Sequence, residues 1–281
     1  MVVITGANGF IGSHLVQLFK NPLKCDVTSF AMVHPASLFF HIRYKKPAAI
    51  FHLGAVSSTT ETDSVKITQN NILFSCELLE HCIENNIAFV YASSASVYGL
   101  GNNGFDENAR MDPLNYYAIS KSSFDLIVKQ KIIDNPQAKI VGLRYFNVYG
   151  TNEGHKVDMA SPVHKFLEQA KETNEIKIFE ESEYYLRDFV HVDDVVNITK
   201  EAFNFPSGIY NVGTGNARSF LDVAQIIANA TDSKITEIPF PQHLVGKYQK
   251  YTCSDNTKIN STDYNTKRIS LEEGIKRVIN G

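Results

Sequence analysis

The chain has 281 residues, of which 43% are hydrophobic and 20% charged, a composition typical of a folded globular protein with a sizeable core. Its 27 basic and 30 acidic residues give a net charge of -3, without a run of like charge that would indicate a nucleic-acid or membrane surface. No apolar stretch approaches the roughly 20 residues that span a bilayer, and no basic segment of an export signal precedes the first apolar run. We therefore expect a cytoplasmic protein without nucleic-acid or membrane partners. The four cysteines form no C-x-x-C pair, so we predict no disulfide framework and no metal site.

Short apolar, β-prone runs alternate with helix-like stretches along much of the chain. The strand candidates are 1–5, 48–55, 87–95, 139–147 and 208–213, and the helix candidates between them include 11–19, 65–84 and 115–133. This alternation predicts an α/β fold with a Rossmann-like, doubly wound parallel sheet.

The second half has a different pattern, with helix candidates at 161–170 and 220–230 and short strands at 176–181 and 187–192. We interpret it as a smaller α/β substrate-binding lobe at the carboxyl edge of the sheet, where open α/β sheets bind ligands. The predicted domains are a dinucleotide-binding domain, 1–146 plus 187–213, and a substrate-binding lobe, 147–186 plus 214–281.

The turn after the first strand reads GANGFIG, from Gly6 through Gly9, Phe10 and Ile11 to Gly12. Glycines at this spacing allow a sharp turn, a close approach to a pyrophosphate and tight packing of the helix on the strand. Because a strand precedes the motif and a helix follows it, the turn predicts a dinucleotide site.

The adenosine-binding region is short, because only 38 residues separate Gly12 from Phe51. Two helices, two strands and their loops need about 40 residues, so we expect that one N-terminal strand is lost or shortened. Asp26 is the single carboxylate between Gly12 and Glu61. If the second strand is the lost one, CDVTSFAM becomes the next strand and Asp26 faces the adenine rather than the ribose. NADP and NAD both stay open as the cofactor.

A candidate catalytic set follows the strand at 87–95, which ends in Ser93 and Ser94. Tyr117 and Lys121 lie on the helix candidate 115–133, four residues apart and therefore on one face. A phenol has a reference pKa of about 10, so it acts as a base only beside a positive charge that lowers this pKa. We predict that Tyr117 is the acid/base, that Lys121 supplies the charge and holds the nicotinamide ribose, and that Ser94 hydrogen-bonds the reacting hydroxyl.

The GANGFIG turn, the run YASSASVYG and the Tyr117/Lys121 pair together resemble the extended short-chain dehydrogenase/reductase family. Longer segments, from about residue 48 to 270, resemble its ADP-glyceromanno-heptose 6-epimerases. These segments are FHLGAVSSTTE (51–61), RYFNVYGTNEGHK (144–156), RDFVHVDDV (187–195), NVGTGNARSF (211–220) and IPFPQHLVGKYQ (238–249). The GHK triplet is the most specific of these features, because relatives that act at C4 of UDP-sugars do not characteristically carry it there.

The resemblance implies inversion at C6 of ADP-D-glycero-D-manno-heptose through a ketone, with NADP as cofactor, for lipopolysaccharide biosynthesis. It implies two acid/base groups on opposite sides, Tyr117 and Lys156, and a homo-oligomer, a pentamer by family. It also implies that the cofactor is lined by Leu53, Gly54, Ala55, Val56, Ser57, Asn70 and Val148. The residues it implies for the sugar nucleotide are Asn147, Asp158, Lys165, Phe179, Glu180, Glu181, Ser182, Arg187 and Tyr248.

Among these residues, Arg187 has the planar fork of donors that suits a diphosphate. Leu53, Asp158 and Lys165 differ from the residues usual in the family at those positions. Two other hypotheses remain: another nucleotide-sugar epimerase, of the UDP-sugar 4-epimerase type, and a degenerate Rossmann protein that binds a dinucleotide without turnover. A dehydratase is disfavoured because no Asp-Glu pair follows Ser94.

Overall fold

The computed structural model describes residues 1–19, 23–25, 46–242, 249–264 and 266–281, with backbone alone for 23–25, 155, 157 and 158. Its strands, numbered in chain order, are β1 (Val2–Thr5), β2 (Leu23–Cys25), β3 (Ala49–His52), β4 (Ala88–Ser94), β5 (Ile140–Tyr145), β6 (Asn147–Tyr149), β7 (Glu175–Phe179), β8 (Leu186–His191), β9 (Gly208–Val212), β10 (Ala217–Ser219) and β11 (Lys234–Ile238). Six of them form one parallel sheet in the order β2-β1-β3-β4-β5-β9.

The α-helices are α1 (Phe10–Gln17), α2 (Ser64–Ile67), α3 (Phe74–Glu84), α4 (Tyr116–Asp134), α5 (Pro162–Thr173), α6 (Val192–Glu201), α7 (Phe220–Thr231), α8 (Thr257–Asn260) and α9 (Leu271–Asn280). A π-helical turn, Thr68–Leu73, joins α2 to α3. Polar side chains fix several helix starts by accepting a hydrogen bond from a backbone N–H of the first turn. Asn115 does so for α4, accepting from the Ala118 N–H at 2.8 Å, and so sets where Tyr117 lies on that helix.

Both faces of the main sheet are buried. Val3, Ile50 and Phe89 pack in one apolar cluster with α3 and α4. Their neighbours in sequence, such as Ile4 and Phe51, pack in a second cluster with α1 and α6. Successive strand residues point to opposite faces, so runs that are apolar at every position are expected for a sheet covered by helices on both sides. The predicted doubly wound α/β fold is confirmed.

The order of the strands places a ligand crevice at β1. The chain passes from β1 outward to β2 and then returns to β3 on the other side of β1, and such a reversal opens a crevice at the carboxyl edge of the sheet. Thr5 and His52 are paired in register at the carboxyl ends of β1 and β3. The turn after β1 and the loop after β3 therefore start side by side.

The second strand is present, since β2 pairs in parallel with β1 through Leu23–Cys25. The alternative in which this strand was lost is wrong, because three residues suffice to pair along the outer edge of β1. Within the described residues β2 is the outermost strand of the sheet. Asp26 and most of CDVTSFAM lie outside the described residues.

A third apolar cluster lies beyond the main sheet and joins α5, β7, α7 and α9, with Phe166, Ile176, Ile227 and Ile275 among its members. A parallel pair, β7 with β11, and a three-stranded sheet, β10-β8-β6, accompany it. β8 falls within the range predicted for the dinucleotide domain but pairs with β6 and β10. The domain boundaries stay a prediction. In the part of the chain that the structure describes, none of the helices combines the length and apolarity of a membrane span.

Candidate active site

A cleft of about 710 Å³ opens at the carboxyl ends of β1, β3, β4 and β5. The structure brings together there most residues predicted for the cofactor and all those predicted for the chemistry. The predicted residues that line it are Gly6, Gly9, Phe10, Ile11, Gly12, Leu53, Gly54, Ala55, Val56, Ser57, Asn70, Ser94, Tyr117, Lys121, Asn147, Val148 and Lys156. Their roles remain predictions, but their convergence on one cleft gives those roles a common geometry.

The glycine turn forms a cradle without room for side chains. Gly6 has φ +68°, and a Cβ there would lie 2.7 Å from the Gly54 nitrogen. A Cβ on Gly12 would lie 2.0 Å from the Gly6 carbonyl oxygen. Gly9 caps the N-terminus of α1, where unpaired N–H groups and the helix dipole favour an anion. This cradle fits the pyrophosphate of a dinucleotide.

The loop after β3, next to the glycine turn, is fastened by side chains. The Thr5 hydroxyl accepts a hydrogen bond from the Gly54 N–H at 3.3 Å. Asn71 accepts from the Val56 N–H at 2.8 Å and donates to the Val56 carbonyl at 3.0 Å and to the Ser120 hydroxyl at 3.0 Å. Asn71, which the sequence analysis did not single out, thereby ties the loop to α4.

Replacing Gly12 by Ala is expected to weaken dinucleotide binding about tenfold or more and to destabilise the fold by about 1–3 kcal/mol. The added methyl group overlaps the Gly6 carbonyl, so α1 must move away from the turn. Fluorescence titration with NADP and NAD, together with urea unfolding, measures both effects. Gly154→Ala is the matched control because its Cβ would meet nothing within 4 Å. Equal losses in both variants would contradict the cradle.

The predicted acid/base lies in the first turn of α4. Ser94, at the end of β4, hydrogen-bonds the Tyr117 hydroxyl. Lys121 is buried, donates from Nζ to the Ala92 carbonyl at 2.7 Å, and has its Nζ 5.9 Å from the centroid of the Tyr117 ring. The strand end and the helix face therefore present the three groups to the cleft together.

The electrostatics of this pair differ from the prediction. Burial raises the pKa of Tyr117, and its hydrogen bond to Ser94 opposes that rise only in part. Burial lowers the pKa of Lys121 to about 8, although Asp125 acts in the opposite direction. The expectation that Lys121 brings the pKa of Tyr117 down is wrong in this geometry. The Lys121 ammonium is directed at the Ala92 carbonyl, and desolvation outweighs the other influences on the phenol.

Lys156 lies in a 3₁₀ turn, Gly154–Met159, and lines the cleft. Its Nζ donates to Glu153 Oε2 at 2.8 Å and lies 4.5 Å from the centroid of the Phe10 ring. Lys156 therefore contacts Phe10, a residue of the glycine turn. The side chain of Asp158, in the same turn, lies outside the described residues.

Most residues predicted for the sugar nucleotide lie elsewhere. Those that the structure describes but that do not line the cleft are Lys165, Phe179, Glu180, Glu181, Ser182 and Arg187. Phe179 ends β7, and the Ser182 hydroxyl donates to its carbonyl. Arg187 is buried and donates to the Leu186 carbonyl at 2.9 Å and to the Gln249 carbonyl. Tyr248 lies outside the described residues.

The polar residues that the sequence analysis did not assign to the site include Ser93 and Glu153. Ser93 is only 2% exposed and lines the cleft, and its hydroxyl has no hydrogen-bond partner among the described residues. A buried hydroxyl without a partner costs about 1–3 kcal/mol, so its position fits a polar ligand group. Glu153 is fully buried beside Lys156. The pairs Ser93-Ser94 and Glu153-Lys156 were visible as spacing, but burial was not.

A family model described as the NAD dependent epimerase/dehydratase family matches residues 2–213. The chain belongs to this family. The match covers the glycine turn, the Ser94, Tyr117 and Lys121 set and Lys156.

Individual epimerases align along nearly the whole chain. An ADP-L-glycero-D-manno-heptose-6-epimerase of Brachyspira hyodysenteriae is 40% identical over 99% of this chain and 96% of its own length. That alignment spans 305 positions, so at least 24 of them have no residue in this chain. The predicted resemblance to the heptose 6-epimerases is confirmed.

Solved structures in the same fold include two different epimerases. The Helicobacter pylori ADP-L-glycero-D-manno-heptose-6-epimerase superposes with a TM-score of 0.85 at 29% identity, covering 99% of this chain and 94% of that one. The UDP-glucose 4-epimerase of Thermotoga maritima, solved with UDP-glucose, gives 0.86 at 25% identity, covering 99% and 97%. Backbone similarity alone therefore does not separate the two substrate classes in this epimerase/dehydratase family.

Proposed function

We propose that the protein is an isomerase that inverts C6 of ADP-D-glycero-D-manno-heptose, giving ADP-L-glycero-D-manno-heptose by transient oxidation. The observation that carries this proposal is the convergence of Ser94, Tyr117, Lys121 and Lys156 on the cleft that also holds the glycine turn. Lys156 belongs to the GHK triplet that distinguishes the heptose 6-epimerases from the 4-epimerases. The reaction would serve the heptose of a lipopolysaccharide inner core, in the cytoplasm.

The dinucleotide would be held by the glycine turn and the loop 53–57, with Lys121 on its ribose. The Gly6 and Gly12 cradle and the unpartnered Ser93 hydroxyl both suit such a ligand. We propose NADP, as the resemblance to the heptose 6-epimerases implies. NAD remains the alternative, because Asp26 does not decide between the two cofactors. When bound, the nicotinamide supplies reversible hydride transfer.

Inversion requires proton transfer on two sides of the same carbon. A hydroxyl proton is removed on one face as the ketone forms, and a proton returns to the oxygen after the other face of the ketone has been presented. Tyr117, hydrogen-bonded to Ser94, serves one side. Lys156, which lines the same cleft beside Phe10, would serve the other. One acid/base alone could not reach both orientations of the substrate without moving.

The nucleotide half of the substrate would extend from Asn147 toward the region after β7. Phe179, 37% exposed, packs against Phe240 at 5.6 Å, and Phe240 stacks on Tyr185 at 5.2 Å. Such an aromatic group suits a purine ring. Arg187 stays the predicted ligand of the diphosphate, and to bind it the guanidinium would have to exchange its contacts with the Leu186 and Gln249 carbonyls. We also propose that the protein is a homo-oligomer, a pentamer by family.

The test is incubation of the purified protein with ADP-D-glycero-D-manno-heptose, alone and with NADP or NAD, and chromatographic separation of the two C6 epimers. Formation of the L-glycero epimer is the expected result. A parallel incubation with UDP-glucose tests the 4-epimerase alternative, and galactose-containing product there without heptose conversion would overturn the proposal. Conversion of neither substrate with cofactor present would favour a Rossmann protein without turnover.

A further inference from the structure

Glu153 lies at the base of the loop that carries Lys156, between β6 and α5. Its side chain is 0% exposed, and its four polar contacts with described residues are all with donors. Oε1 accepts from the Gly150 N–H at 3.1 Å and from the Ser161 hydroxyl at 2.7 Å. Oε2 accepts from the Ser161 N–H at 2.8 Å and from Lys156 Nζ at 2.8 Å. The carboxylate therefore clamps both ends of the loop.

Such a set of contacts suits a carboxylate and no neutral replacement. A carboxamide would place an N–H where two donors already point, so at least one buried donor would lose its acceptor. The Lys156 ammonium is the cation that Glu153 contacts among the described residues. A buried charge needs a partner, so the loop and the lysine are tied through one group.

Lys156 is held between this carboxylate and an aromatic face. Its side chain is 22% exposed, and its Nζ lies over the Phe10 ring while still lining the cleft. A lysine side chain has four rotatable bonds, and an exposed ammonium explores many positions. The carboxylate and the ring restrict this one to the part of the cleft wall beside Phe10.

We propose that Glu153 is the positioning residue for Lys156: the buried carboxylate holds the Lys156 ammonium at the cleft wall beside Phe10. The inference rests on the proposed function for its consequence in catalysis. The placement of Lys156 by Glu153 is independent of that function, because it follows from the contacts of the two side chains. A misplacement of about 1 Å can lower a rate about 100-fold, so displacing the Lys156 ammonium is expected to lower the rate of catalysis substantially.

The test compares Glu153→Gln and Glu153→Asp with the wild type. Each variant is expected to lower kcat about 10- to 100-fold and to leave KM within about twofold, because the substrate still binds while the acid/base is displaced. Glu153→Asp keeps the charge but withdraws the carboxylate by one methylene, so it provides the answer if the Gln variant does not fold. Thermal unfolding identifies the folded variants.

A second measurement does not depend on turnover. Competitive acetylation at pH 8, read by mass spectrometry, reports how freely each lysine amine reacts. In Glu153→Gln the Lys156 amine is expected to react about three to ten times faster, because the contact that restrains it against the buried carboxylate is removed. Lys171 is the internal reference. Glu168→Gln is the matched control, because Glu168 and Lys171 are also three positions apart and form an exposed ion pair of 3.5 Å.

The outcomes test the role of Glu153 separately from the proposed epimerase function. Loss of kcat together with faster labelling of Lys156 supports the proposal. A folded Glu153→Gln or Glu153→Asp protein with kcat within twofold of the wild type, or unchanged labelling of Lys156 in Glu153→Gln, would overturn it. If the wild type converts no heptose, the proposed function fails, and the labelling experiment still decides whether Glu153 holds Lys156.

Discussion

Replacing Tyr117 by Phe is expected to lower kcat for epimerisation about 10²- to 10⁴-fold, the range by which positioned acids and bases accelerate proton transfer. The ring is retained, so packing in the first turn of α4 changes little. What is removed is the hydroxyl that Ser94 hydrogen-bonds and that would exchange a proton with the substrate. Progress curves for the two heptose epimers, separated by chromatography, measure the effect.

The control for this substitution is the preceding residue. Tyr116 is 48% exposed on the same helix turn and does not line the cleft, so Tyr116→Phe is expected to retain wild-type kcat. KM should stay within about twofold in Tyr117→Phe if the lost interaction matters mainly in the transition state. A Tyr117→Phe protein with more than about a tenth of wild-type kcat would contradict the role of this phenol.

Replacing Arg144 by Met is expected to reduce the free energy of unfolding by about 3–5 kcal/mol, as when one partner of a buried ion pair is removed. Arg144 Nε donates to Asp125 Oδ2 at 2.8 Å, and both side chains are 0% exposed. The Asp125 carboxylate also accepts from the Tyr91 hydroxyl at 2.8 Å. Without the guanidinium, a buried carboxylate on α4 is left without its counter-charge. Urea unfolding measures the loss.

Two variants distinguish this pair from a surface one. The double variant Arg144→Met with Asp125→Asn is expected to be more stable than the sum of the single losses predicts, because no charge is left unpaired. Arg277→Met, which breaks ion pairs of 3.0 and 3.3 Å at a site 46% exposed, is expected to change the free energy of unfolding by less than about 1 kcal/mol. A loss in Arg144→Met no larger than in Arg277→Met would contradict the argument.

The Arg144–Asp125 pair also bears on the site. It joins β5 to the middle of α4, one turn beyond Lys121 and two beyond Tyr117. The face of α4 that presents both residues to the cleft is thus anchored by a contact outside it. Neither Arg144 nor Asp125 could be identified from the sequence as a partner of the other, because they lie 19 positions apart on two different elements.

Several features of the cleft could be predicted because they depend on local spacing. An apolar strand followed by GANGFIG allows few conformations other than a tight turn into a helix, and a residue pair four apart on a helix shares one face. The carboxyl ends of parallel strands meet at one edge, so motifs that follow such strands converge. Gly6, Gly12, Ser94, Tyr117 and Lys121 were located in this way.

The charge states of the site could not be predicted by the same means. The nearness of Lys121 to Tyr117 suggested a lowered phenol pKa, yet the pKa of Tyr117 is raised. The difference arises because desolvation acts on the partly buried Tyr117 as well as on the buried Lys121, and because the ammonium has a backbone acceptor on β4. Desolvation depends on what surrounds a group in three dimensions, and the spacing between two residues carries no information about it.

By itself the sequence determined the parallel α/β fold and the edge of the sheet where the cleft lies, and it indicated the residues proposed for the chemistry, since each depends on periodicity or on a short motif. Only the tertiary structure decided which polar groups are buried and what they contact. Glu153 is one residue among 30 acidic ones in the sequence, and it became the anchor of Lys156 because β6, the following loop and the start of α5 enclose it. Enclosure by separate elements is a property of packing, and it alone converts an ordinary carboxylate into one whose charge must be matched.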